Sequence, residues 1–189
     1  MSIFRAFNRF PDETARVGRM LASYSILELD LLHCVHMGTG DFDAAMKSMF
    51  GKRGETRRIN DAATLGKPIY DGLGLGKEFG DGVEALRACL KIRNQYAHCT
   101  WWDDLSGQLA FANLEDIADD PALQVSDLGH LPPLHVDLAL LREQEGFFDY
   151  TDALLAWVNY EGRHRRGLLQ SGSVPARPTP QAAPRLHLP

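Results

Sequence analysis

The sequence predicts a mainly α-helical bundle of four to five helices carrying one small β-hairpin. Apolar residues recur at three- to four-residue spacing through 12–37, 81–97 and 134–165, the period of a helix with one face turned to a core. Glycine and proline clusters separate these stretches. Between the second and third of them, two short aromatic-rich runs flank a polar turn, which is the pattern of a hairpin. Of the 189 residues 44% are hydrophobic and 24% charged, enough to core one helical domain. Its predicted bounds are 12–166, between an N-terminal extension over 1–11 and a disordered Pro-rich tail over 167–189.

Taken in order, Asp12 or Thr14 is suited to cap the first helix, and Val17, Met20, Leu21, Tyr24, Leu27, Leu31 and Val35 form its core stripe. Ile26, Leu29 and Leu32 widen that stripe, as in a helix buried on two sides. Gly38-Thr39-Gly40 stops the helix, and Asp41 opens a short one through Phe50. The basic, Gly-broken run 51–58 reads as an exposed turn, and helical periodicity resumes from Glu55 to about Leu65. Six glycines and Pro68 in 66–82 predict an interrupted or loosened helix there. From Asp81 helicity is strong again, with Val83, Leu86, Leu90 and Ile92 as core contacts. Cys99–Trp102 should then pair with Leu109–Ala112, and Pro121 and Pro132-Pro133 bracket an irregular connection. A last helix over 134–165 presents Val136, Leu140, Phe147, Leu154, Leu155, Trp157 and Val158, with Gly146 as a kink point.

Other classes are disfavoured. No apolar run approaches the ~20 residues that span a bilayer. Arg5, Asn8 and Arg9 interrupt any signal-peptide core, so the expectation is a cytoplasmic chain without a membrane partner. Three cysteines, Cys34, Cys89 and Cys99, read as small buried hydrophobes. A net charge of −5 argues against non-specific coating of nucleic acid but leaves room for a local cationic cleft.

The richest polar segment is Arg93-Asn94-Gln95-Tyr96-Ala97-His98, at the end of the second strong helix. Arg holds phosphate through a planar fork, and His moves protons near neutral pH. At 100° per residue Asn94 and His98 share a face one turn apart, while Arg93 and His98 diverge by about 140°. Either the helix ends near Ala97 so that His98 swings back, or two subunits meet so that one supplies Arg and the other His.

Arg93, Asn94 and, after four intervening positions from Arg93, His98 resemble the motif of the HEPN superfamily, helical bundles whose members commonly dimerise across that motif. The resemblance implies a homodimer and a metal-independent endoribonuclease with no cofactor, of the kind found among toxins and stress or defence effectors. His98 would serve as general base or acid toward a ribose 2′-hydroxyl, Arg93 would hold the scissile phosphate, and Asn94 would orient either. Tyr96 is a secondary candidate. The products would be a 2′,3′-cyclic phosphate and a 5′-hydroxyl. The other reading is a non-catalytic HEPN-like module that binds a nucleotide, RNA, or a protein partner such as an antitoxin.

For an RNA surface, the candidates are Lys52, Arg53, Arg57 and Arg58, with Trp101 for base stacking; the alternatives are a solvated turn and a core tryptophan. Arg163, His164, Arg165 and Arg166 form a second basic patch at a helix C-terminus, where positive charge is favoured in any case. Gly72 to Lys77 fails as a phosphate loop, because Asp71 stands at the first glycine position and Glu78 replaces Ser or Thr. His33, Cys34 and His36 lack a second ligand pair, so no metal site is expected. Glu115, Asp116, Asp119 and Asp120 read as a solvated loop.

Overall fold

A computed structural model describes residues 3–51 and 53–189. Among them are seven α-helices and a three-stranded antiparallel sheet, so the predicted mainly helical class with a small hairpin holds. The elements are α1 (Ile3–Arg9), α2 (Pro11–Thr39), α3 (Phe42–Phe50), α4 (Glu55–Gly72), α5 (Gly76–Ala97), β1 (Cys99–Trp102), β2 (Leu109–Asn113), α6 (Leu114–Asp119), β3 (Leu134–Val136) and α7 (Leu138–Arg165). The chain groups into two compact units, each built from separated segments. The first comprises residues 1–21, 91–146 and 184–189, and the second 22–90 and 147–183.

In the first unit β2 is central, with Trp101 opposite Phe111 and Trp102 opposite Ala110 across β1–β2, and Ala110 opposite His135 across β2–β3. Successive strand residues face opposite ways, and here both faces are covered. Trp101 packs among Phe7, Tyr96 and Phe111, at ring separations of 6.1, 5.5 and 5.2 Å. Trp102 lies on the other face with Ala110, Ala112, Ile117 and Leu131. The turn between β1 and β2 is held by Asp103 and Asp104, whose carboxylates accept from the Leu105 and Ser106 amides at 3.0 Å.

The tail departs from expectation. Beyond a single 3₁₀ turn at Ser171–Ser173 it carries no regular structure, yet its end is held in the first unit. Gln144, fully buried, donates to the carbonyls of Arg185 (2.7 Å) and Leu186 (3.0 Å), Gln95 donates to that of Leu186 (2.8 Å), and the Leu188 amide donates to His135 O at 2.9 Å. In the second unit Arg177 pairs with Glu78 at 3.2 Å and lies over the Trp157 ring.

The core of the second unit follows the predicted stripes: Tyr24, Leu27, Leu31 and Val35 of α2 and Val83, Leu86 and Leu90 of α5 are buried. Ile26 and Leu29, expected to widen the α2 stripe, are instead exposed. Gly40, at φ +75°, ends α2, and the Asp41 carboxylate caps α3 by accepting from the Ala44 amide at 3.0 Å.

Four further expectations are corrected. The 66–82 segment is helical except for a short turn, with Pro68 inside α4 and Gly74 (φ +69°) reversing the chain into α5. Gly66 is there for space: a Cβ would penetrate the ring of Phe79, which stacks on Tyr70 at 4.5 Å and 7°. Leu134–Val136 is a strand rather than the start of the last helix, and α7 then runs without interruption through Gly146. The acidic run at 115–119 belongs to α6, which Asn113 caps through the Glu115 amide at 3.0 Å. Part of the expected N-terminal extension forms α1.

Candidate functional site

The last turns of α5 carry the polar motif. Ile92 and Tyr96, one turn apart, are buried, which turns Arg93 and Asn94 to the half-exposed flank and leaves Ala97 and His98 exposed. The helix stops at Ala97, where the aromatic and β-branched run Cys99–Trp102 takes up β1. His98 still donates its amide to Asn94 O at 3.2 Å, so its side chain leaves the backbone one turn above that of Asn94. Arg93 Nη1 donates to Asn94 Oδ1 at 3.0 Å, which brings the guanidinium around the helix toward the Asn94 flank. Arg93, Asn94 and His98 thus share one end of α5, with the cation hydrogen-bonded to the amide of Asn94 and the imidazole exposed one turn beyond that amide.

The other candidates fare differently. Tyr96 is a core residue: its hydroxyl donates to Gln144 Oε1, its ring meets Trp101 and Phe111, and burial pushes the phenol's pKa up, so it does not act as the secondary catalytic group. Trp101 is 6% exposed and offers no face for a base to stack on. Arg58 donates to both carboxylate oxygens of buried Glu28, at 3.0 and 3.2 Å, and lies over the Phe50 ring; it joins α4 to α2 and is not a free RNA contact. Arg57 is exposed and pairs with Asp61 at 3.4 Å, Arg53 is exposed, and Lys52 lies outside the described residues. Burial pushes the Cys34, Cys89 and Cys99 thiols up to about 12, which keeps them protonated and un-nucleophilic. Among the described residues no group of three or more His, Cys, Asp or Glu is placed to hold a metal ion, and no helix is long and apolar enough to cross a membrane.

Two features left no sequence signal. One is Gln144, the buried hub between Tyr96 and the tail. The other is the carboxyl pair of Asp30 on α2 and Asp152 on α7, in the second unit. Asp30 Oδ2 is buried without a hydrogen-bond donor among the described residues. Desolvation first, then the hydrogen bond and charge of Asp152, raise the Asp30 carboxyl from the ordinary range up to about 7. The unfolded chain releases this proton at about pH 4, whereas the fold keeps it until about pH 7. The stabilisation it gives is therefore complete below pH 4 and lost as pH rises through 7. Asp30→Asn, which donates toward Asp152 without a charge, is expected to exceed wild type in stability at pH 8 by about 1–2 kcal/mol, a value reduced for partial exposure. The difference should vanish near pH 4; urea unfolding at the two pH values measures it, and equal stability at pH 8 would contradict the shared proton.

The fold defines a mainly helical protein with a small antiparallel sheet, bearing half-exposed Arg93 and Asn94 and exposed His98 at a helix end. Comparison with protein-family models, with curated proteins and with solved structures gave no match.

Proposed function

We propose that the chain is a metal-independent endoribonuclease of HEPN type, acting as a homodimer. The observation that supports this most is the junction at the end of α5: Arg93 hydrogen-bonded to Asn94, and His98 exposed one turn beyond. A guanidinium held by an amide, with an exposed imidazole at the same helix end, suits a ribose phosphate diester. In this reading His98 takes the proton of the 2′-hydroxyl, the 2′-oxygen attacks phosphorus, and the bond from phosphorus to the 5′-oxygen breaks. The partner subunit's copy of the same histidine returns a proton to the leaving oxygen. Arg93 meets the charge developing on the phosphoryl oxygens. Such a cut leaves a 2′,3′-cyclic phosphate and a 5′-hydroxyl.

RNA incubated in EDTA with wild type and with His98→Ala tests the reading. Expected are cleavage by wild type with cyclic-phosphate ends, its loss in His98→Ala, and loss of most activity in Arg93→Lys, which keeps charge but not the fork. Intact RNA in every lane would leave a non-catalytic binding module. A strict monomer in light scattering would remove the second histidine from the scheme.

A further inference from the structure

Beyond the motif, and independently of the ribonuclease reading, a cavity of about 340 Å³ in the second unit is lined by His36, Met37, Gly40, Arg163, Arg166 and Leu168. It lies where α2 and α7 end close together. Gly162 allows the approach, since a Cβ there would stand 2.5 Å from Met37 Cε and 3.1 Å from the Tyr70 ring. After each helix the chain turns away through a left-handed glycine, Gly40 at φ +75° after α2 and Gly167 at φ +73° after α7, leaving a concave surface between the helix ends.

The charge in this cavity is one-sided. Among the described residues no carboxylate lines it. Arg163 donates from Nε to the neutral amide of Asn159 at 3.0 Å. Arg166 donates through Nη1 to the carbonyls of Met37 and Gly38. Neither guanidinium forms an ion pair among the described residues, and each retains N–H groups without a protein acceptor. On the preceding turn of α2, the proton affinity of His33 is lowered by burial and then by the charges of Arg163 and His36, as a positive local potential requires. Two helix C-termini contribute roughly half a negative charge each, so two guanidiniums more than offset them. Capping of terminal carbonyls uses only Nη1 of Arg166, and the bond to Asn159 uses only Nε of Arg163, so both guanidiniums keep their remaining N–H groups for a ligand.

We propose that this cavity binds a phosphoryl group, gripped by Arg163 and Arg166 with His36 at its side. Two charged forks match the oxygens of a tetrahedral dianion. Met37 and the exposed Leu168 supply apolar walls for an organic substituent.

The test uses the full ¹⁵N-labelled chain, titrated with inorganic phosphate, adenosine monophosphate or adenosine, while the Gly40 and Leu168 amides are followed. Concentrations reach about 10 mM, tenfold above the ~1 mM Kd of a weak site. Saturable shifts with phosphate or the monophosphate, and none with adenosine, are expected. Tighter binding of the monophosphate assigns a phosphomonoester; equal binding assigns the free ion; either outcome supports a phosphoryl site. Arg163→Gln should weaken binding at least about tenfold, as expected for a lost charge-assisted hydrogen bond, and Arg163→Lys by less. Circular dichroism confirms that the variants are folded. The proposal is overturned by unsaturated or absent shifts, by adenosine binding as well as its monophosphate, or by folded Arg163→Gln binding like wild type.

Discussion

Gly66→Ala is expected to destabilise the protein by about 1–3 kcal/mol, although alanine is the better helix former by about 1 kcal/mol. The added methyl group would overlap the ring of Phe79. That ring cannot retreat, because it is 1% exposed and stacked on Tyr70, itself fully buried and tied by its hydroxyl to Cys34 O at 3.1 Å. Gly66→Leu should cost more still. The mechanism makes a sharper demand in a second background. Phe79→Ala alone should lose about 3–5 kcal/mol through the cavity it opens. Within that variant Gly66→Ala meets no ring and should stabilise by roughly 0.5–1 kcal/mol, the helix-propensity gain alone. Urea unfolding of the four proteins in the cycle gives each value. An equal loss in both backgrounds would show that the ring is not what excludes a side chain at position 66.

Gln144→Leu is expected to lose about 2–4 kcal/mol, a large share of the stability of a chain this size. Leucine has similar bulk but can neither accept from the buried Tyr96 hydroxyl nor donate to the carbonyls of Arg185 and Leu186. The tail carbonyls can turn to water; the phenol cannot. Most of the loss should therefore come from Tyr96, and Tyr96→Phe combined with Gln144→Leu should be more stable than the sum of the two single losses predicts. Hydrogen exchange offers a second readout. The Leu188 amide, which bonds His135 O, should exchange faster once the neighbouring carbonyls are released. Unchanged exchange at Leu188 would disconnect Gln144 from the tail.

Much of the helical frame could be read directly, because burial imposes a period on the residues that line a core. Val17, Met20, Tyr24, Leu27, Leu31 and Val35 kept that period and are buried. The pairing of Cys99–Trp102 with Leu109–Ala112 was readable from two short apolar runs around a polar turn. Period alone does not say how many faces are covered. Ile26 and Leu29 are exposed where burial was expected, while Trp101 and Trp102 are both buried, because α1 covers one side of the sheet and α6 the other. Local propensity misled at Pro68 and the glycines around it, since the Tyr70–Phe79 contact favours helix through a segment that composition alone would break. The three residues of β3 are too few to show a period, and their strand state depends on β2. At the motif, a helix end near Ala97 was one of the two resolutions the sequence left open, while the hydrogen bond from Arg93 to its neighbour left no sign in it. Arg58 offered no hint that Glu28, 30 positions earlier, would claim it.

The grip on residues 185 and 186 has an evolutionary corollary. The hydrogen bonds that Gln95 and Gln144 make to that stretch go only to peptide oxygens, which every amino acid carries, so it could change almost any letter without losing them. Position 188 is the exception: its amide hydrogen takes part, and an imino acid there would break the last tie to the strand edge.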